Sequence, residues 1–294
     1  MRIILGVNDS SQVAVAAAWL KRLAFPAPQV TCVHGYGPVL LPSVAGDMAT
    51  LPPEVITELL DAREAEARTV ANNGSNTAQA SGVASNSLAV DLPPADALMH
   101  IAEESNAELI AIGNTGHGAI ASVLLGSVGR KLGISCTRSL LVAKQAPANA
   151  GPASAVFATD HSDYAQRCLD HLCKMRPGGL GKITLVSAFD VMATAAGFGA
   201  GPGLAFDINP EAVRKIDALN AAAVVKLRAA GFEADHSVAQ EPVISAIRRV
   251  MIESGAELLI MGAQGHGLVH RALLGSVALH FLVSEPHSLL LLRA

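Results

Sequence analysis

Aromatic residues are scarce: one Trp, two Tyr and seven Phe make up 3% of the 294 residues. Any core must therefore be built from Val, Leu, Ile and Ala. Charge is scarce as well, at 16% of residues with a net charge of -4, and the lysines and arginines are scattered. That leaves no basic footprint for nucleic acid. The four cysteines, Cys32, Cys136, Cys168 and Cys173, form no CxxC pair, so neither a disulfide framework nor a zinc knuckle is indicated. They read as reduced, mostly buried thiols. Mean hydropathy is positive at +0.39, yet no apolar run approaches the roughly 18 to 20 residues of a membrane span. The opening "MRIILGVNDSS" is interrupted at Asn8 and Asp9, too early for the apolar region of a signal peptide. The expected location is the cytoplasm.

What is present is a well-cored chain, 51% hydrophobic, of a length that favours two domains. The chain also repeats itself. "SNAELIAIGNTGHG" from Ser105 aligns without gaps to "SGAELLIMGAQGHG" from Ser254, and "LLGSV" follows at Leu124 and again at Leu273. The domain starts correspond too, "RIILGVNDSSQVAVAAAWL" matching "SAVFATDHSDYAQRCLDHL". Between the copies, "KQAPANAGPAS" from Lys144 to Ser154 has the composition of an exposed linker. Two homologous domains are expected, at 1–146 and 152–294.

Each copy alternates short apolar runs with helical-period segments. In the first, strands are expected at Ile3–Val7, Gln29–His34, near Val83–Val90, Leu109–Ile112 and Leu140–Ala143. Helices are expected at Ser10–Ala24, capped by Ser10, at Pro53–Asn73, at Pro94–Ser105 and from Ser127. The second copy repeats the plan, with strands at Ala155–Ala158, Ile183–Val186, around Glu233–Val238, Leu258–Met261 and Leu289–Leu292, and a helix at Pro210–Ala230. Continuous apolar strands separated by helices imply a parallel sheet covered on both faces, hence two tandem doubly wound α/β domains.

In such sheets ligands bind beyond the carboxyl ends of the strands, where strand order reverses. The loop from Gly113 leaves such an end. Gly113 and Gly116 would let backbone N–H groups approach an anion, and Gly126-Ser127 would set a helix N-terminus and a hydroxyl against it. A P-loop is excluded because no lysine follows either glycine pair. "GHGAIA" fits the dinucleotide fingerprint only in the wrong place, since the first strand-to-helix turns read "GVNDSS" and "ATDHSD".

What the copies share is G-x2-G-x9-G-S: Gly113, Gly116 and Gly126-Ser127, repeated as Gly262, Gly265 and Gly275-Ser276. At the end of a fourth strand this pattern resembles the ATP-binding motif of the universal stress protein family. The resemblance spans nearly the whole chain as two tandem domains. It implies a five-stranded parallel sheet in each and an adenine nucleotide, ATP or else ADP or AMP, with or without Mg2+. It also implies a site formed in the second domain by Thr159, Asp160, Ala188, Met261, Gly262, Gly265, His266, Gly275, Ser276 and Val277. The first-domain counterparts are Asn8, Gly35, Ile112, Gly113, Gly116, His117, Gly126, Ser127 and Val128. The family's adenosine-contacting aspartate is Asp160, but its place in the first domain is taken by Asn8, which hydrogen-bonds without charge. Unequal sites are expected.

His117 and His266 occupy equivalent loop places and suit phosphate-adjacent donors better than catalysts. No carboxylate pair or Ser/His/Asp set recurs in both copies, so hydrolysis has little support beyond a slow ATPase. "CLDHLC" places Cys168 and His171 on one helical face, read as a core helix rather than a metal site. Ala193–Gly203 reads equally as a lid or as a mobile insertion. The apolar closing strands Leu140–Ala143 and Leu289–Leu292 need cover. In the family such strands make a dimer interface, so they are expected to pair within the chain as a pseudo-dimer, with a homodimer also open. The resulting expectation is a nucleotide-gated stress regulator or chaperone-like partner of an unknown protein client. A nucleotide-free interaction module and a slow nucleotide hydrolase are the alternatives.

Overall fold

The computed structural model describes residues 1–37, 52–114, 125–148, 151–189, 210–265 and 274–294. The chain divides into two compact units, Met1–Lys21 with Ala27–Ala146, and Arg22–Pro26 with Pro147–Ala294. Gly116, His117, His266 and the Ala193–Gly203 stretch lie outside the described residues.

The first unit runs β1 (Arg2–Gly6), α1 (Gln12–Leu23), β2 (Gln29–Gly35), α2 (Pro53–Ala80), β3 (Ser85–Val90), α3 (Pro94–Glu104), β4 (Leu109–Gly113), α4 (Ser127–Ser135) and β5 (Ser139–Ala143). Its strands pair in parallel in the order β3-β2-β1-β4-β5, with Ile3 of β1 opposite both Val30 and Leu109. Ile3, Ile4 and Leu5 of β1 and Leu109, Ile110 and Ala111 of β4 are all but inaccessible. Strands covered on both faces have no solvent side to alternate toward, which is why they read as unbroken apolar runs.

The second unit contains β6 (Ala153–Ala158), α5 (Asp163–Met175), β7 (Leu180–Ala188), α6 (Pro210–Ala229), β8 (Glu233–Ala239), α7 (Val243–Ser254), β9 (Leu258–Gly262), α8 (Ser276–Ser284) and β10 (Ser288–Leu292). The order is β8-β7-β6-β9-β10, again parallel. Both units are α/β. None of the described helices is long and apolar enough to cross a membrane.

Helix α2 extends to Ala80, past the Asn73 end expected from sequence. Gly74, Ser75, Asn76 and Thr77 are poor helix formers, but Val70, Ala71, Gly74, Ser75 and Ala78 are buried on one face. That tertiary burial outweighs local propensity. Gly74 lets the helix approach the end of β1, because a Cβ there would stand 2.5 Å from Val7 Cβ.

In the second unit, α7 and α8 are tied at the end remote from the α8 N-terminus. Glu285, 7% exposed, accepts from Arg248 through Nε at 2.9 Å and through Nη2. It is also 2.9 Å from His280 Nε2. Burial works to raise the Glu285 pKa, but the bonds from Arg248 and His280 and their charges outweigh it and leave the carboxyl below its ordinary value. A depressed folded-state pKa means stability that is present above the unfolded-state value and lost as pH falls through the folded one.

Two outcomes are expected. Gly74→Ala lowers stability by about 1–2 kcal/mol, overpacking against Val7 exceeding alanine's helix preference. Urea unfolding followed by fluorescence of Trp19, the chain's single tryptophan and 1% exposed, reads this directly. Glu285→Gln lowers the melting temperature at pH 7, and the gap to wild type narrows as pH falls below about 4. A gap independent of pH would mean that the carboxylate charge is not what stabilises.

Candidate functional site

In each unit the first and fourth strands lie side by side while the chain leaves them in opposite directions, β1 toward β2 and β4 toward β5. Connections that diverge in this way leave a crevice at the carboxyl ends. Val7 N donates to Val33 O and Thr159 N to Val186 O, both at 3.0 Å, carrying the ladder one residue beyond β1 and β6. The next residues, Asn8 and Asp160, are therefore delivered to the crevice and are exposed. The Asn8 side chain turns back on its own loop, Oδ1 accepting from Ser10 N at 3.2 Å and Ser10 Oγ at 2.6 Å. Asp160 Oδ1 accepts from Ser162 N at 3.0 Å.

The opposite wall is the start of α8. Ala263 N donates to Leu292 O at 3.0 Å, and Gly275 N donates to Ala263 O at 2.8 Å, which seats the N-terminus of α8 beside the end of β9. Gly275 carries no side-chain cap, and neither does Gly126 at the start of α4. Uncapped first-turn N–H groups are donors with a positive local field, suited to an anion.

The second unit gathers Thr159, Asp160, Ala188, Met261, Gly262, Gly265, Gly275, Ser276 and Val277 around one cavity of about 480 Å³. These are all the described residues expected there from sequence. In the first unit Asn8, Gly35, Ile112, Gly113, Gly126 and Val128 line a cavity of only about 120 Å³, and Ser127 is not among its lining residues. Small-molecule sites ordinarily occupy about 300–1,000 Å³.

The glycines of the repeated motif divide into two kinds. A Cβ on Gly113 would stand 2.3 Å from Gln12 O, and one on Gly262 would stand 3.0 Å from the Tyr164 ring. These first glycines let the strand end pack under the first helix of the unit. A Cβ on Gly265 would meet only Asp160 Oδ2, at 3.3 Å, and one on Gly275 would meet nothing closer than 3.5 Å. In the second unit Gly265 and Gly275 therefore keep the cavity open and bring backbone to its wall.

The two cavities differ locally at the helix that follows the glycine loop. Gly129 in α4 corresponds to Ala278 in α8 by the register of the motif. A Cβ on Gly129 would lie 2.5 Å from Leu125 Cδ1, so only glycine lets Leu125 fold inward, where it is 5% exposed and lines the small cavity. In the second unit Ala278 is buried, and Leu274, the counterpart of Leu125, lines the larger cavity while remaining partly exposed.

Sequence reasoning missed Val243 and Ile247, which line the second cavity from one face of α7. Their four-residue spacing marks an apolar helix face but says nothing of a cavity. It also missed the polar contacts of His161. Cys168 is fully buried beside Tyr164, and burial pushes its thiol up to about 12, so it is an inert core residue. Among the described residues no group of His, Cys, Asp and Glu could hold a metal ion.

Comparison with known proteins agrees with this architecture. The universal stress protein family matches residues 1–144 and again 154–293. A universal stress protein from Archaeoglobus fulgidus DSM 4304 superposes with a TM-score of 0.68 at 18% identity, covering 99% of this chain and 98% of that one. A protein of unknown function from Pseudomonas aeruginosa PAO1 superposes at 0.57 and 14% identity, covering 99% and 92%. At these identities the likeness is one of fold. No curated protein matches the chain. With the family matching nearly all of its length, the chain belongs to the universal stress protein family, as two tandem copies of that domain.

Proposed function

We propose that the second repeat binds an adenine nucleotide in its 480 Å³ cavity and that the first repeat is chiefly structural. In this reading each repeat is a doubly wound five-stranded domain with its crevice at the switch point. One observation carries the proposal: a cavity of ligand size lies between a carboxylate, Asp160, and the uncapped N-terminus of α8 at Gly275 and Ser276. The carboxylate suits hydroxyl groups of a sugar. The glycine backbone and the helix N-terminus suit phosphate. Val243, Ile247 and Met261 supply apolar surface for a base. Mg2+ would enter with the polyphosphate rather than on a protein cage, consistent with its habit of keeping water and phosphate ligands.

The described lining offers no general base paired with a nucleophile, so hydrolysis is at most slow. Binding energy is then available for a change of shape, and the chain acts as a nucleotide-gated regulator or chaperone-like partner of a protein client in a cytoplasmic stress response. The small first cavity is the specific observation that favours the interaction-module reading for that repeat.

Calorimetry on nucleotide-stripped protein should show one site per chain for ATP, ADP or AMP. No heat with any of them sinks the proposal. Asp160→Ala should weaken binding about 10- to 100-fold, the worth of one or two bonds to a charged group. Gly265→Val, which fills the space facing Asp160, should abolish it. Conversely, Gly129→Ala combined with Asn8→Asp should push Leu125 out of the first cavity and raise the stoichiometry above one. An unchanged stoichiometry would place the asymmetry elsewhere.

A further inference from the structure

The turn carrying Thr159 and Asp160 has His161 at its centre, with φ of 58°, in the left-handed region. A non-glycine residue adopts that conformation only at an energetic cost, so something must hold it. The ring does. His161 Nε2 lies 2.7 Å from Asn220 Oδ1 and 3.1 Å from Ser187 Oγ. Gln166 Nε2 lies 3.3 Å from Nδ1. With the Gln166 amide donating to Nδ1, Nε2 carries the proton and donates to Asn220. The Ser187 hydroxyl donates to the same oxygen at 2.7 Å, and Asn220 Nδ2 donates to Ser237 O at 3.3 Å. Asn220 is fully buried and Ser187 is 4% exposed. The network thus joins the turn to β7, α6 and β8, and a satisfied polar cluster in a dry setting is rigid.

The same turn aims the candidate site. His161 N donates to Thr159 Oγ1 at 3.1 Å, and Ser162 N donates to Asp160 Oδ1. This leaves Asp160 Oδ2 beside Gly265 across the cavity. The first repeat keeps the bond within the turn, Ser10 N donating to Asn8 Oδ1 at 3.2 Å, but lacks the lock behind it. Asp9 stands in place of His161 and is not left-handed, Ala71 replaces Asn220, and His34 replaces Ser187, its Nδ1 lying 3.1 Å from Val7 O.

We infer that His161 is a positioning residue: its ring locks the turn so that the Asp160 carboxylate faces the cavity, and through Asn220 it couples that carboxylate to α6. The coupling to a nucleotide rests on the function proposed above, whereas the lock itself does not. A ligand that engages Asp160 then loads a network reaching α6, which is how occupancy of the cavity would be felt outside it.

Hydrogen exchange on ligand-free protein tests the lock. His161→Gly keeps left-handed backbone accessible while removing the ring, and His161→Asn tolerates the same backbone with a side chain too short to reach Asn220. Both should raise exchange at the His161 and Ser162 amides tenfold or more; Ser187→Ala should do so less, and serves if the others fail to fold. Titration with ATP tests the consequence. His161→Gly should weaken binding about tenfold, yet cost nothing further in an Asp160→Ala background, where a merely structural role would remain additive. Wild-type exchange in the Gly or Asn variant, or additive losses, overturns the inference. If the wild type takes up no ATP, ADP or AMP, the nucleotide reading falls, while the exchange rates still decide the lock.

Discussion

Two-sided burial of a parallel sheet is the constraint on which the rest of each repeat depends. Because β1, β4, β6 and β9 are covered on both faces, polar chemistry cannot be placed along the strands and has to sit where they end. The parallel pairs β1 with β4 and β6 with β9 put two such ends side by side and send the chain away from them on opposite sides. A crevice is the geometric result. Gly113 and Gly262 admit the first helix of each unit close to the strand end beside it.

On that common frame the duplicated sequence has diverged at a few positions with large consequences. Gly129 against Ala278 decides whether the leucine that lines the crevice is buried, as Leu125 is, or partly exposed, as Leu274 is. Asn8 against Asp160 decides whether the first wall carries a charge. His161, with Ser187 and Asn220, decides whether that wall is anchored to the helix behind it. All three differences favour the second repeat, although both copies share the same glycine spacing. A duplicated domain can keep the fold with one copy while the other retains the chemistry, because packing tolerates substitutions that a ligand-sized space does not.

Most of the element order was legible because fully buried strands and amphipathic helices differ in length and period. The last turns of helix α2, beyond Asn73, are not legible in the sequence, since they rest on burial of Gly74 and Ser75 rather than on residues that favour helix. The candidate site was legible in its glycines, whose spacing recurs, and in Asp160 at the end of the first strand of its repeat. Val243 and Ile247 were not, because an apolar helix face looks the same whether it meets core or cavity.

The sequence by itself determined the duplication, the α/β alternation, family membership and the positions of the glycines, all of which follow from local pattern and its recurrence. Only the tertiary structure decided which glycine packs and which faces open space, and that one cavity is about four times the other. It alone brought His161 together with Asn220 from a helix some 60 residues on. Volume and hydrogen-bond closure depend on groups distant in the chain meeting at particular separations, and no one-dimensional pattern carries those separations.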